Sequence, residues 1–132
     1  MTVTSFYPVL MTTDVATTSA FYRRVLGFEV TFEADWYVSL RRGDAELAIL
    51  DHAHETIPRG FGRPPAGVIL NFEVTDVDAV MAEMPSDVRV VLPLRDEAFG
   101  QRHAILEGPD GVLIDVIQPI EPSPEFAQAY AV

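Results

Sequence analysis

A chain of 132 residues, 48% hydrophobic and 22% charged, has the size and composition of one soluble globular domain with a sizeable core. Its net charge of −11, from 9 basic and 20 acidic residues, argues against nucleic acid as a partner, because phosphate contacts need a cationic surface, and suits a cationic small molecule. Cysteine is absent and every basic residue is arginine, which excludes disulfides, thiolate nucleophiles, cysteine-type zinc sites and lysine Schiff bases.

The first strand-like run starts at Phe6 and ends in Thr13-Asp14-Val15. Val15, Thr18, Tyr22 and Val25 then recur at helical spacing, with Asp14 placed as N-cap and Gly27 as the stop. Phe28, Val30 and Phe32 alternate with Glu29, Thr31 and Glu33, and Trp36, Val38 and Leu40 with Tyr37, Ser39 and Arg41. This two-residue period predicts strands. A Gly43-Asp44 turn leads into a further strand, Ala45 to Leu50. Residues 52–66, rich in Pro and Gly and without periodicity, read as a linker.

The same grammar then restarts. Val68 to Val74 ends in Thr75-Asp76-Val77, and Val77, Val80 or Met81, and Met84 predict a helix that Pro85 ends. Strands are expected at Val88 to Leu92, Gln101 to Glu107 and Val112 to Gln118, the last two joined by the turn Gly108-Pro109-Asp110-Gly111. The pattern is βαβββ written twice, at about 4–51 and 67–118, with a tail at 119–132, in one domain of class α+β. One helix covers only one face of a four-stranded sheet. Two such units are therefore expected to form a curved, incomplete mixed barrel around a cleft.

Phe21-Tyr22-Arg23-Arg24-Val25-Leu26-Gly27-Phe28 resembles the Phe-Tyr-x-x-x-Leu-Gly-Phe signature that closes the first helix in the vicinal oxygen chelate superfamily of glyoxalase I, bleomycin resistance proteins and extradiol dioxygenases. Phe99-Gly100 through Gly108-Pro109-Asp110-Gly111 resembles its second-half strand and Asp-Pro-x-Gly turn, with Gly108 in place of the usual Asp. Together with the duplication, the resemblance spans roughly residues 5 to 118. It implies a metal site with one His, Gln or Glu on each of four strands. Those positions fall here at Tyr7, Leu50 (or Asp51, if the register slips by one), Ile69 and Asp115. Only Asp115 offers a good ligand for a hard divalent ion, so no metal and no cofactor are expected.

Asp115 sits among Val112, Leu113, Ile114, Val116 and Ile117, and a buried carboxylate there needs a partner. It is either an acceptor for a ligand's donor or cation, or the partner of an arginine such as Arg102. Asn71 and Glu73 share a face with Ile69, opposite Leu70, Phe72 and Val74. Trp36 and Tyr37 must point to opposite faces, one to the core and one toward a ligand suited to stacking. His52 and His54 form a His-x-His pair at the edge of the linker, read as surface loop. His103 lies mid-strand and, with Asp115, is the candidate acid–base group if chemistry occurs. The expected ligand-binding set is Tyr7, Trp36, Leu50, Ile69, Asn71, His103 and Asp115.

No Gly-rich phosphate loop, Gly-x-Ser-x-Gly elbow or serine triad is present. No apolar run approaches the roughly 18 residues of a membrane span. Met1 to Leu10 carries no positive charge before its apolar stretch, so no signal peptide is expected and the cytoplasm is the expected compartment. The leading expectation is a metal-independent protein that binds or sequesters a small molecule, such as a cationic drug or antibiotic, and forms a homodimer. The alternatives are a lyase, isomerase or dioxygenase-type enzyme of the same superfamily, and a partner-binding regulatory module acting through the tail.

Overall fold

The computed structural model describes residues 1–130; the last two residues of the expected tail, 131 and 132, lie outside it. The architecture is α+β, with two four-stranded mixed sheets. The chain divides into two compact units, Met1–Ala66 and one beginning at Gly67. Among the described residues no helix is long and apolar enough to cross a membrane.

The first unit comprises β1 (Val9–Thr12), α1 (Val15–Leu26), β2 (Glu29–Glu33), β3 (Tyr37–Arg42) and β4 (Ala45–Asp51). Its strand order is β1-β4-β3-β2, with β1 parallel to β4 and the other pairs antiparallel. Helix α1 starts because the Asp14 carboxylate accepts the Thr17 N–H at 3.0 Å, satisfying a backbone donor that the first turn leaves open. It stops because Gly27 adopts φ 71°, a left-handed conformation that costs glycine nothing. The helix lies on the face of Leu10, Thr12, Val38, Leu40, Leu47 and Ile49, all buried. The Thr12 and Thr18 hydroxyls, 2.7 Å apart, fix that face as the one toward α1. Tyr22 is fully buried at the centre, edge-on to Phe28.

The second unit repeats the plan with β5 (Ile69–Glu73), α2 (Val77–Ala82), β6 (Val90–Glu97), β7 (Gln101–Glu107) and β8 (Leu113–Pro119), followed by the short α3 (Pro124–Ala127). Its order is β5-β8-β7-β6, with β5 parallel to β8. Helix α2 packs on β7 and β8 over Ala104, Leu106, Ile114 and Val116, all essentially inaccessible. Three bonds confirm which face this is. Gln118 Oε1 accepts the Val77 N–H at 3.1 Å, and Arg102 reaches Asp78 of α2 through two bonds of 2.9 and 2.7 Å.

Several local expectations shift. Trp36 precedes β3 rather than lying in it, β2 begins after Phe28, and α2 ends at Ala82 instead of Met84. The strand expected at Val88 to Leu92 runs instead from Val90 to Glu97, through Pro93. A proline is tolerated there because β6 is an edge strand, and register shifts flank it at Val90/Leu92 and Leu92/Arg95. The segment 52–66 folds into successive turns, His54 N–H to Asp51, Ile57 N–H to His54 and Phe61 N–H to Pro58. The tail returns to its own unit: the Ile120 N–H bonds Gly100 and the Ser123 N–H bonds Ala98.

Candidate functional site

With α2 on one face of the second sheet, the other face carries Ile69, Asn71 and Glu73 of β5, Leu113, Asp115 and Ile117 of β8, and Gln101, His103, Ile105 and Glu107 of β7. Strand register sets Asn71 directly beside Asp115. His103 is 5% exposed and Asp115 7%, two buried polar side chains beside Leu113, Ile117 and Ile105. They satisfy each other. His103 Nδ1 lies 2.8 Å from Asp115 Oδ1, and His103 Nε2 lies 2.8 Å from Glu97 Oε2, which also accepts from Arg95 Nε at 2.7 Å.

Ionised carboxylates only accept, so both are satisfied together when the imidazole donates from both nitrogens, as an imidazolium. Burial, the largest single influence, pulls the His103 pKa down. Its hydrogen bonds and charge interactions with Glu97 and Asp115 outweigh that and leave it above the ordinary value of 6.5. Bonds from His103 and then Arg95 hold Glu97 below the ordinary carboxylate range. The partner of Asp115 is therefore His103 and not Arg102, which alternation turns to the α2 face, where Asp78 and Asp96 hold it. Both ring nitrogens of His103 are committed, so neither is offered to a substrate as acid or base.

In the first unit Tyr7 lies just before β1 and is 45% exposed, whereas Leu50 is buried in β4, paired with Met11 on one side and Tyr37 on the other. Burial, and after it the neighbouring Tyr7, push the Tyr37 phenol above its usual pKa against a hydrogen bond with Ser39. Trp36 is 38% exposed rather than core, and its ring stacks on His54 with centroids 3.9 Å apart and planes 9° from parallel. The Thr56 N–H donates to His54 Nδ1 at 3.2 Å, which fixes that ring. His52 and His54 line a loop pocket of about 330 Å³ with Ile57, Pro58 and Arg59.

The residues at the positions implied for a metal do not fit one. Leu50 and Ile69 have no donor atom, Tyr7 offers a phenol, and one oxygen of the Asp115 carboxylate is already bonded to His103. Among the described residues no group of three or more His, Asp or Glu side chains is arranged to hold a metal ion.

Glu97 was not among the residues expected from sequence, because the strand expected there, Val88 to Leu92, stopped short of it. The triplet Arg95-Asp96-Glu97, a cation followed by two carboxylates shortly before His103, was the signal available. Beyond residue 66 the arginines are Arg89, Arg95 and Arg102, and all three are paired, with Glu107, Glu97, and Asp78 and Asp96. Most of the acidic excess therefore belongs to the second unit.

The fold recurs in solved structures. A protein of unknown function from Agrobacterium tumefaciens is 28% identical, with 91% of this chain and 98% of that one covered and a TM-score of 0.73. A virulence protein from Salmonella typhimurium is 27% identical over 91% and 100%, with a TM-score of 0.72. A lactoylglutathione lyase from Agrobacterium tumefaciens, 19% identical over 88% and 94% with a TM-score of 0.69, shares the fold alone. A search of curated proteins found no match. The model of the Glyoxalase/Bleomycin resistance protein/Dioxygenase superfamily matches residues 5–116, and the chain belongs to that superfamily.

Proposed function

We propose that this protein binds an organic small molecule without a metal ion, on the face of the second sheet that carries Asn71, Asp115 and His103. One observation carries the reading: the single carboxylate at an implied metal position already has a counter-ion, the His103 imidazolium, built into the chain. The sheet itself thus supplies a positive charge beside Asp115. Exposed Ile69 and half-buried Leu113 and Ile105 offer apolar contact beside it, and Asn71 a free amide donor and acceptor.

With every arginine of the second unit paired, an anionic ligand finds no unpaired arginine there, whereas an organic cation meets a favourable field. Sequestration of a cationic drug or antibiotic is the physiological form this reading takes. The test is a thermal-shift screen of aromatic and aliphatic organic cations, each with a neutral isostere, in buffer containing a chelator. A ligand present at 100 times its Kd stabilises by about 2.7 kcal/mol. Asn71→Leu, an exposed change next to Asp115, should weaken any hit at least fivefold with the melting temperature of the free protein unchanged. Hits that appear only when a divalent metal is added, or that ignore Asn71→Leu, refute the proposal.

A further inference from the structure

At the end of the same sheet a pocket of about 380 Å³ is formed by Glu73, Gly100, Gln101, Pro119, Ile120, Pro122, Ala127 and Tyr130. Strand residues form its floor and the tail forms its wall. The wall is held at several points. The Tyr130 hydroxyl donates to the Phe99 carbonyl, Phe126 meets Phe99 edge-on, and Ser123 and Ile120 bond back to the turn between β6 and β7. Gly100 sits at φ 108°, and a Cβ there would meet the Ile120 carbonyl at 3.0 Å and the Tyr130 hydroxyl at 3.1 Å. That close approach lets the tail lie against the sheet.

The lining is prolyl, aliphatic and aromatic apart from Gln101, the Tyr130 hydroxyl and Glu73. Glu73 is the one ionised group, exposed and with no arginine bonded to it. The volume falls in the range of small-ligand sites, about 300–1,000 Å³. An apolar slot with one carboxylate and one aromatic ring is complementary to an ammonium group on an apolar body, through a charge-assisted hydrogen bond and cation–π attraction.

We infer that the tail-walled pocket is a binding site for a primary organic ammonium with an aryl or alkyl body, with Glu73 as its anchor and Tyr130 as part of its wall. Glu73 shares strand and face with Asn71, two residues along, but neither Asn71 nor Asp115 lines this pocket, so the inference does not depend on the ligand proposed for them.

The probe is 2-phenylethylammonium, with neutral 2-phenylethanol as control, titrated calorimetrically into the full-length protein. Binding of the ammonium with at least tenfold preference over the alcohol is expected. Glu73→Gln should abolish that preference, and Ala127→Trp, which fills the pocket from the exposed helix α3, should remove binding of both. Circular dichroism melts of each variant confirm the fold. Equal affinity of wild type and Glu73→Gln, or an unchanged affinity in Ala127→Trp, overturns the inference, as does no binding at millimolar probe. Loss of binding in Asn71→Leu with retention in Glu73→Gln places the ammonium beside Asp115 instead, which overturns this site and leaves the function proposed above standing.

Discussion

Replacing His103 by glutamine tests the charge network directly. The imidazolium bridges Glu97 and Asp115 at 2.8 Å on each side, and the side chains of His103 and Asp115 are 7% and 11% exposed. Removing the cation leaves two carboxylates facing a neutral amide in a nearly dry layer. Breaking a buried pair from one side costs about 3–5 kcal/mol, because the partner's charge is left uncompensated. At roughly 3–5 °C per kcal/mol for a chain of this size, the melting temperature should fall by on the order of 10–20 °C.

The pH profile gives a sharper readout. The folded pKa of His103 is raised above 6.5, so its contribution is complete below about that pH and is lost as pH rises through the folded value. Glu97 is lowered from 4.5, so its contribution is present above about that pH and is lost as pH falls through its own folded value. Melting temperature followed by circular dichroism from about pH 4 to about pH 10 should therefore show a plateau with two limbs. His103→Gln should flatten the alkaline limb. Adding Asp115→Asn and Glu97→Gln should recover much of the lost stability, since three neutral hydrogen-bonding groups leave no buried charge unpaired. A loss below about 1 kcal/mol, or an alkaline limb that survives in His103→Gln, would refute the imidazolium assignment.

Asp14→Ala removes the N-cap of α1 and should cost about 1 kcal/mol in urea unfolding, while Asp14→Asn, which keeps the acceptor, should cost a few tenths. Gly100→Ala places a Cβ 3.0 Å from the Ile120 carbonyl at a φ that alanine resists, so the tail should become the first site of limited proteolysis, at a cost of about 1–3 kcal/mol. Purified protein dialysed against a mild chelator should hold no stoichiometric zinc, nickel, iron or manganese by elemental analysis; near-unit retention of any of them would contradict the donor set.

What could be read from sequence divides along locality. Helix α1 was legible because its start and stop are chemical acts of adjacent residues, Asp14 and Gly27. Strand β7 matched its expected span, Gln101 to Glu107, because one face of its alternation is filled by α2. Strand β6 was misread because the tolerance of Pro93 depends on having no neighbour on one side, a property of the finished sheet and not of the strand. That error carried into the site. With β6 cut short, Glu97 had no place opposite β7, and the partner of Asp115 was sought at Arg102. Only the register of β7 against β8, in which Arg102 pairs with Gln118 and Ile105 with Asp115, puts Arg102 on the wrong face. The Trp36–His54 stack was equally out of reach, since it depends on how the loop after β4 turns back over the start of β3.

The same register explains why a buried carboxylate persists beside Leu113, Ile117 and Ile105. A lone Asp115 among Leu113, Ile117 and Ile105 would be strongly penalised, and a divalent ion would need further donors that Tyr7, Leu50 and Ile69 do not provide. His103 neutralises it from two residues along the neighbouring strand, and Glu97 with Arg95 closes the chain of charges at the sheet edge, where water can reach Arg95. Only Oδ1 of Asp115 is used by this network, so Oδ2 accepts no hydrogen bond among the described residues and remains the acceptor a ligand can take. A ligand bound there is held by a carboxylate whose partner is His103 rather than a metal. Its affinity should therefore respond to pH through His103 and be indifferent to chelators, a pair of responses that a metal centre would reverse.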